Sequence, residues 1–373
     1  MRLVVFFSRG MSLEGWERAG ILDRELALYR AMRPHLESLA FVTYGGTRDL
    51  DLGRQIPGLE ILANRGGLSP NLYSLAALWL HRRALGGATV FKTNQINGGW
   101  SAALARWLFG KKLVVRCGYL WSDSALQPDY GWIRRTAVTR LERWIFRAAD
   151  RVIVAAAIHR EAIVGRYGVD RARVEVIPNY VDTAQFRPLP GIAAEPGRVT
   201  FVGRLSAEKN PMALLDAVDG VPGLRLVMIG DGALRSELQA SAERRGLNVE
   251  FLGTRCHHEL PALLARSTAF ALVSQYEGNP KALLEAMACG VPVIGTRVRG
   301  IQDVVEHRRT GLLCGSSPLE IRAAIQETLS DPELRRQMIA NALAYVRTTC
   351  SLDGAVAGEL AVLTSLTGGP AHA

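Results

Sequence analysis

Two carboxylates and two cations carry most of the chemistry this sequence can offer. Glu277 and Glu285 lie in "EGNPKALLEAMACGVPVIG" (277–295), with Lys281 as the one other charge before Arg297. Arg204 and Lys209 lie in "FVGRLSAEKNP" (201–211). A carboxylate accepts hydrogen bonds from hydroxyl groups, and a cation can clamp phosphate. An unpaired charge inside "ALLEAMACG" is costly to bury, so Glu285 needs a partner. Asn279 suits a helix cap, and Pro280 suits the first turn, where its missing N–H costs nothing. "KALLEAMAC" then propagates well; Gly290 ends the helix and Pro292 prevents continuation. Glu277 therefore sits in the loop before the helix and Glu285 more than one turn inside it. The helix N-terminus, with unpaired N–H groups and the positive end of the dipole, is a seat for phosphate. Lys281 and Glu285, four apart, also fit an ordinary surface ion pair, in the weaker order of the two.

The other polar features are individually weak. Gly203 lets a ligand approach backbone, and "GDG" (230–232) offers a tight turn before a helix start. A basic residue after a strand is ordinarily just solvated. No Gly-x-Gly-x-x-Gly follows the first strand and no Walker-type Gly-Lys-Ser/Thr occurs, which argues against a dinucleotide dehydrogenase or a P-loop enzyme. The seven histidines form no metal set; His257-His258 reads as a loop pair. The five scattered cysteines show no zinc spacing and suit a reducing compartment.

The elements that must position these groups alternate as in an open parallel sheet. Strands read from "LVVFF", "SLAFVTYG", "TVFKTNQ", "KKLVVRCG", "RVIVAA" and "VEVIPNYVD" in the first half, and from "RVTFVGRL", "LRLVMIGDG", "VEFLG", "AFALVS" and "VPVIGT" in the second. "LEGWERAGILDRELALYRAMR" reads as one helix, and "WIRRTAVTRLERWIFRAAD" as a long basic one. The Pro-, Gly- and Ala-rich stretch 183–197 is the best boundary. With 373 residues, 48% of them hydrophobic, the chain is long enough for two globular domains. The apolar run in "MRLVVFFSRG" is too short for a signal peptide and no run of about 18 apolar residues occurs, so a cytoplasmic chain is expected. Residues 1–185 hold 26 Lys+Arg against 16 Asp+Glu, so the whole net charge of +10 lies there. That suggests an anionic partner or surface on that side. Arg140, Arg143 and Arg147 share one helix face opposite Val138, Leu141, Ile145 and Ala148. The face suits either a solvated surface or reversible contact with anionic membrane. Nucleic acid is disfavoured, because no stacking aromatics accompany the arginines.

Together, "FVGRLSAEKNP", "IGDG", "FLG", "SQYEGNPKALLEAMACGVPVIGT" and "TGLL", with "ADRVIVAA" and "IPNYVDTAQFRP" before them, resemble family 4 of the glycosyltransferases. The resemblance implies α/β architecture of the GT-B type: two facing Rossmann-like domains with a ligand crevice between them. Expected domains are 1–183 for the acceptor, 184–197 as linker, 198–350 for the nucleotide sugar, and 351–373 as a C-terminal helix or tail returning to the first domain. It implies a retaining, metal-independent hexosyltransferase with no cofactor beyond its nucleotide-sugar donor. A saccharide or lipid-linked acceptor follows, with cell-envelope polysaccharide or glycolipid synthesis at the inner face of the membrane as the setting. Glu277 matches the contact to donor-sugar hydroxyls and Glu285 the contact to ribose hydroxyls. Arg204 and Lys209 match the diphosphate clamp, which with Glu277 form the catalytic set. Gly203, Gly253, Arg255, Cys256, Gly278, Asn279, Pro280, Lys281 and Ala282 complete the donor side, with Gly253–Cys256 as the slot for the base. The acceptor side departs from the family pattern: "SRGMSLEG" has Gly10 alone where a Gly-Gly loop is common, and Arg116, Cys117 and Gly118 stand where a His often follows. Gly10, Ser12, Asn94 and Arg116 are the acceptor-side candidates. A nucleotide-sugar epimerase of the same fold is the alternative.

Overall fold

Strands buried on both faces need continuous apolar runs, and this chain supplies thirteen of them within the residues that the computed structural model describes, 1–124 and 132–368. In the first unit they are β1 (Arg2–Phe6), β2 (Ser38–Val42), β3 (Leu59–Leu62), β4 (Val90–Thr93), β5 (Lys112–Cys117), β6 (Arg151–Val154) and β7 (Val174–Val176). All pair in parallel, in the order β3-β2-β1-β4-β5-β6-β7. The second unit holds β8 (Arg198–Val202), β9 (Arg225–Ile229), β10 (Val249–Gly253), β11 (Ala269–Leu272), β12 (Val293–Thr296) and β13 (Leu312–Cys314). These are parallel too, in the order β10-β9-β8-β11-β12-β13. Each sheet reverses its winding direction once, between β1 and β4 and between β8 and β11. The carboxyl ends of the strands at such a reversal are where open α/β sheets take ligands. Each unit is Rossmann-like, with its own apolar core.

The units are residues 1–178 with Ala355–Ala373, and Asn179–Gly354. The stretch 184–197 belongs to the second unit. Phe186 is buried in its core, and Glu195 holds Arg198, Arg225 and Arg266 in one ion cluster. The turn signals there reflect a packed irregular segment. The helix expected over "LEGWERAGILDRELALYRAMR" is two, Leu13–Arg18 and Leu22–Met32, because Gly20 adopts positive φ between them. Phe146 and Ile145 are both core residues of the helix Trp132–Ala148, so its buried stripe is wider than the sequence spacing indicates. Its arginine face is also partly structural. Arg143 Nη2 donates to Arg166 O at 3.1 Å and Arg147 Nε to Tyr167 O at 3.2 Å. Both guanidiniums thus satisfy carbonyls at the C-terminus of the helix Ala157–Tyr167.

The helix Leu352–Ser365 brings a charge into the first unit's core. Glu359 is buried and receives Arg116 Nη1 at 2.8 Å and Lys92 Nζ at 2.5 Å. Burial pulls the Lys92 ammonium below its ordinary value, with the Glu359 carboxylate opposing that pull. Removing the shared carboxylate leaves two cations in the core, and breaking such a pair costs about 3–5 kcal/mol. Glu359→Ala is expected to lose that much stability in urea unfolding. A loss under about 1 kcal/mol rejects the network as a clamp on the first unit.

Candidate functional site

The best-furnished place in the described residues is the reversal point of the second sheet. β8 ends at Val202 and leads into Gly203 and Arg204; β11 ends at Leu272 and leads into Ser274 and Glu277. The two strands are neighbours, and their loops are tied by Gln275 N donating to Glu208 O at 2.8 Å. Across this tie Lys209 Nζ meets Glu277 Oε1 at 2.6 Å, and Ser274 Oγ donates to the same oxygen at 2.7 Å. Lys209 and Glu277 are mostly buried, at 18% and 9% side-chain exposure, so their attraction is less screened than on an open surface. Arg204 differs: 75% exposed, it pairs with neighbouring Glu208 at 2.6 Å. An exposed pair of that kind holds a guanidinium weakly.

Close backbone approach sets this geometry at two glycines. Gly230, at φ +133°, lies against the Gly203 carbonyl, and a Cβ there would stand 2.0 Å from that oxygen. Gly300 lies against the loop that carries Glu277, and a Cβ there would stand 2.3 Å from the Glu277 carbonyl oxygen. The "GDG" turn satisfies itself: Asp231 accepts from Gly232 N and pairs with Arg235, both at 2.7 Å.

The helix Lys281–Ala288 starts one residue later than the spacing indicates. Pro280 holds the cap position and no side chain caps the helix. Asn279 instead anchors by its carbonyl, which accepts Asn179 Nδ2 at 2.8 Å, while its Oδ1 is buried without a hydrogen-bond partner among the described residues. Lys281 Nζ lies 5.6 Å from the centre of the Tyr180 ring, and Ala282 packs against the core. Gly278 lies beside Gly300.

Glu285 is 2% exposed, so a surface ion pair does not describe its setting. Its Oε1 meets His257 Nε2 at 2.9 Å, and the His257 ring packs on Phe186 at 4.7 Å between centroids. His257 Nδ1 is buried without a hydrogen-bond partner among the described residues. The histidine that reads as a loop feature is the buried partner the carboxylate requires. Around it, Gly253 adopts positive φ and its carbonyl accepts Gly230 N at 2.8 Å; Arg255 and Cys256 are exposed. Sequence reasoning misses His257, which stands 28 residues from the carboxylate it serves, and Ser274, which lies three residues before Glu277 but carries no charge to mark it. Ser206, between Arg204 and Lys209, has a buried Oγ without a hydrogen-bond partner among the described residues.

In the first unit Gly10 and Asn94 flank the reversal between β1 and β4, while Ser12 and Arg116 are engaged structurally. Ser12 caps the helix Leu13–Arg18, its Oγ accepting Gly15 N at 2.9 Å. Asn94 Oδ1 accepts Tyr29 OH at 3.3 Å, and Arg116 is buried against Glu359. Among the described residues no three His, Cys, Asp or Glu gather as metal ligands. No disulfide joins the cysteines among the described residues, and burial pushes the Cys289 thiol up to about 12.

Two Rossmann-like units with this strand-end constellation define a protein of the GT-B glycosyltransferase class. The chain belongs to glycosyltransferase family 4: residues 28–185 match the model "Glycosyltransferase Family 4" and residues 182–344 match "Glycosyl transferases group 1". Glycogen synthase of Mycobacterium tuberculosis is 31% identical over 220 residues, 54% of this chain and 51% of that protein. The chain thus spans about half the length of the curated relatives it matches first. Among solved structures, Anabaena HepE in complex with UDP and glucose superposes with a TM-score of 0.81 at 21% identity, covering 98% of this chain and all of that one. Sucrose-phosphate synthase from Thermosynechococcus elongatus gives a TM-score of 0.82 at 21% identity, over 99% of this chain and all of that one.

Losing a hydrogen bond to a buried charged group costs about 1.5–3 kcal/mol. His257→Leu is therefore expected to lower unfolding stability by that amount, with His257→Gln recovering most of it. Equal stability of His257→Leu and wild type shows that the contact does not support Glu285.

Proposed function

We propose that this chain is a retaining hexosyltransferase, moving a sugar from a nucleotide-sugar donor to a saccharide or lipid-linked acceptor in cell-envelope polysaccharide or glycolipid synthesis. The observation that carries the reading is the convergence of Lys209, Ser274 and Glu277 at the ends of β8 and β11. In the reaction the bond from the sugar C1 to the diphosphate oxygen breaks, and its electron pair leaves with the diphosphate. The acceptor hydroxyl oxygen bonds to C1 on the same face and passes its proton to the departing phosphate oxygen. Lys209 and Arg204, with the N-terminus of the helix Lys281–Ala288, stabilise the charge that develops there. In this reading those groups do what a metal does in other transferases. Glu277, held by Lys209 and Ser274, takes the sugar hydroxyls. Glu285, oriented by His257, takes the ribose hydroxyls, and Gly253–Cys256 receives the base. UDP in the complex of the Anabaena neighbour supports a nucleoside diphosphate as the leaving group. The protein works on the cytoplasmic face of the membrane, in reversible contact with anionic lipid.

A thermal-shift screen of nucleoside diphosphates and nucleotide sugars tests the donor side, since a ligand at a hundred times its Kd adds about 2.7 kcal/mol to native stability. No stabilisation by any of them overturns the reading. Release of the diphosphate without acceptor, with an epimerised sugar, replaces it with an epimerase.

Lys209→Ala is expected to cost about 2–4 kcal/mol of transition-state stabilisation, seen in kcat. Glu277→Gln should act mainly on kcat, whereas Glu285→Gln should act mainly on nucleotide affinity. Wild-type kinetics in Lys209→Ala, or wild-type diphosphate binding by Glu285→Gln, removes the corresponding role.

A further inference from the structure

The helix Pro70–Leu80 is apolar on both faces. Its inner side buries Tyr73, Ala77 and Leu78 in the first unit's core, and buried Ser74 satisfies its hydroxyl on the Pro70 carbonyl. Its outer side presents Leu72, Leu75 and Trp79, spaced as one helical stripe and 61%, 54% and 67% exposed. Leu80 beside them is half exposed. The helix contains no charged residue. A water-facing helix surface is ordinarily polar, and a helix apolar all round is ordinarily covered. The neighbouring helix Gly99–Phe109 packs beside it and adds Trp107 and Leu108 at its end, 79% and 54% exposed.

The surroundings of this patch are basic. Arg82 and Arg83 follow directly, with the Arg82 guanidinium 4.9 Å from the centre of the Trp79 ring. Lys111 and Lys112 follow the second helix. From Ile61 through Ser122 the chain holds eight Lys and Arg and no Asp or Glu. Exposed leucine and tryptophan beside lysine and arginine match the depth profile of a bilayer interface, with acyl chains below and anionic phosphates above. Self-association fits less well. A two-fold interface sets the same patch against itself, which would bring Arg82 and Arg83 toward their own copies.

We propose that the outer face of the helix Pro70–Leu80, with the end of the helix Gly99–Phe109, inserts into the interface of an anionic phospholipid bilayer. This deepens the membrane contact proposed above by naming the surface that makes it, and rests on that reading. The arginines of the helix Trp132–Ala148 are not its centre, since Arg143 and Arg147 are committed to carbonyls of the first unit.

Co-sedimentation with phosphatidylcholine vesicles, with and without phosphatidylglycerol, provides the test. Wild type should bind the anionic vesicles at low salt and retain part of that binding at high salt, where screening removes the charge component. Leu75→Ser combined with Trp79→Ser should lower the partition coefficient at least tenfold at both salt levels. Its circular dichroism and melting temperature should match wild type, because both side chains lie outside the core. Arg82→Gln with Arg83→Gln should mainly flatten the salt dependence. Acyl-chain bromination should quench wild-type tryptophan emission, and less so in Trp79→Phe. Binding that survives Leu75→Ser/Trp79→Ser overturns the surface while leaving membrane contact intact. Failure of wild type to bind anionic vesicles overturns both. A concentration-dependent dimer abolished by Leu75→Ser/Trp79→Ser overturns the proposal in favour of a second copy of the chain.

Discussion

The ion pair between Lys209 and Glu277 joins two loops that no strand pairing holds together. A parallel sheet orders its strands but leaves the chain free beyond their carboxyl ends. Here the gap is closed by the backbone bond from Gln275 N to Glu208 O and by one oxygen of Glu277, which meets the Lys209 ammonium across the gap and the Ser274 hydroxyl on its own side. With these groups mostly out of water, the electrostatic cost of separating them is larger than at the surface. The glycines at 230 and 300 bring two further stretches of chain within backbone contact of the loops that carry the pair, Gly230 against Gly203 and Gly300 against Glu277. Arg204, outside the constraint, keeps a side chain that solvent surrounds.

The second carboxylate is accommodated differently. Glu285 enters an apolar helix face, and the histidine it meets comes from the short helical turn His257–Glu259, itself wedged against Phe186. The aromatic contact limits rotation of the imidazole. The hydrogen bond then fixes the direction of the carboxylate. A rigid acceptor suits a diol, whose two donors have fixed separation, better than a free glutamate would.

Much of the architecture was legible because parallel strands cannot hide their composition. Runs such as "AFALVS" and "VPVIGT" are apolar on both faces and bounded by turn residues, so their ends, and the polar groups just beyond, could be placed directly. The same holds for Gly290 as a helix stop. What escaped was every partner drawn from elsewhere in the chain. Nothing near Arg116 announces Glu359, nor does anything near Glu285 announce His257; local pattern carries no information about which distant charge will arrive. The spacing of Arg143 and Arg147 does indicate an exposed face, but it does not announce that both guanidiniums also donate to helix-end carbonyls of the next element. The stretch 184–197 carries the Pro and Gly signals of irregular backbone, and irregular backbone can be packed as tightly as a helix: Phe186 lies in the second unit's core.

The Arg116–Glu359 contact spans 243 residues of chain. At ribosomal speeds of about 5–20 residues per second, those residues take roughly 12–50 s to emerge. During that interval the first sheet can assemble, but Lys92 and Arg116 lack the carboxylate that neutralises them in the finished core. The entire second unit is synthesised within the wait, and all its residues are contiguous. Order of synthesis and order of completion are therefore inverted: the unit begun first is finished last. A nascent chain stalled before Glu359 would carry a folded second unit beside an incompletely charge-balanced first one.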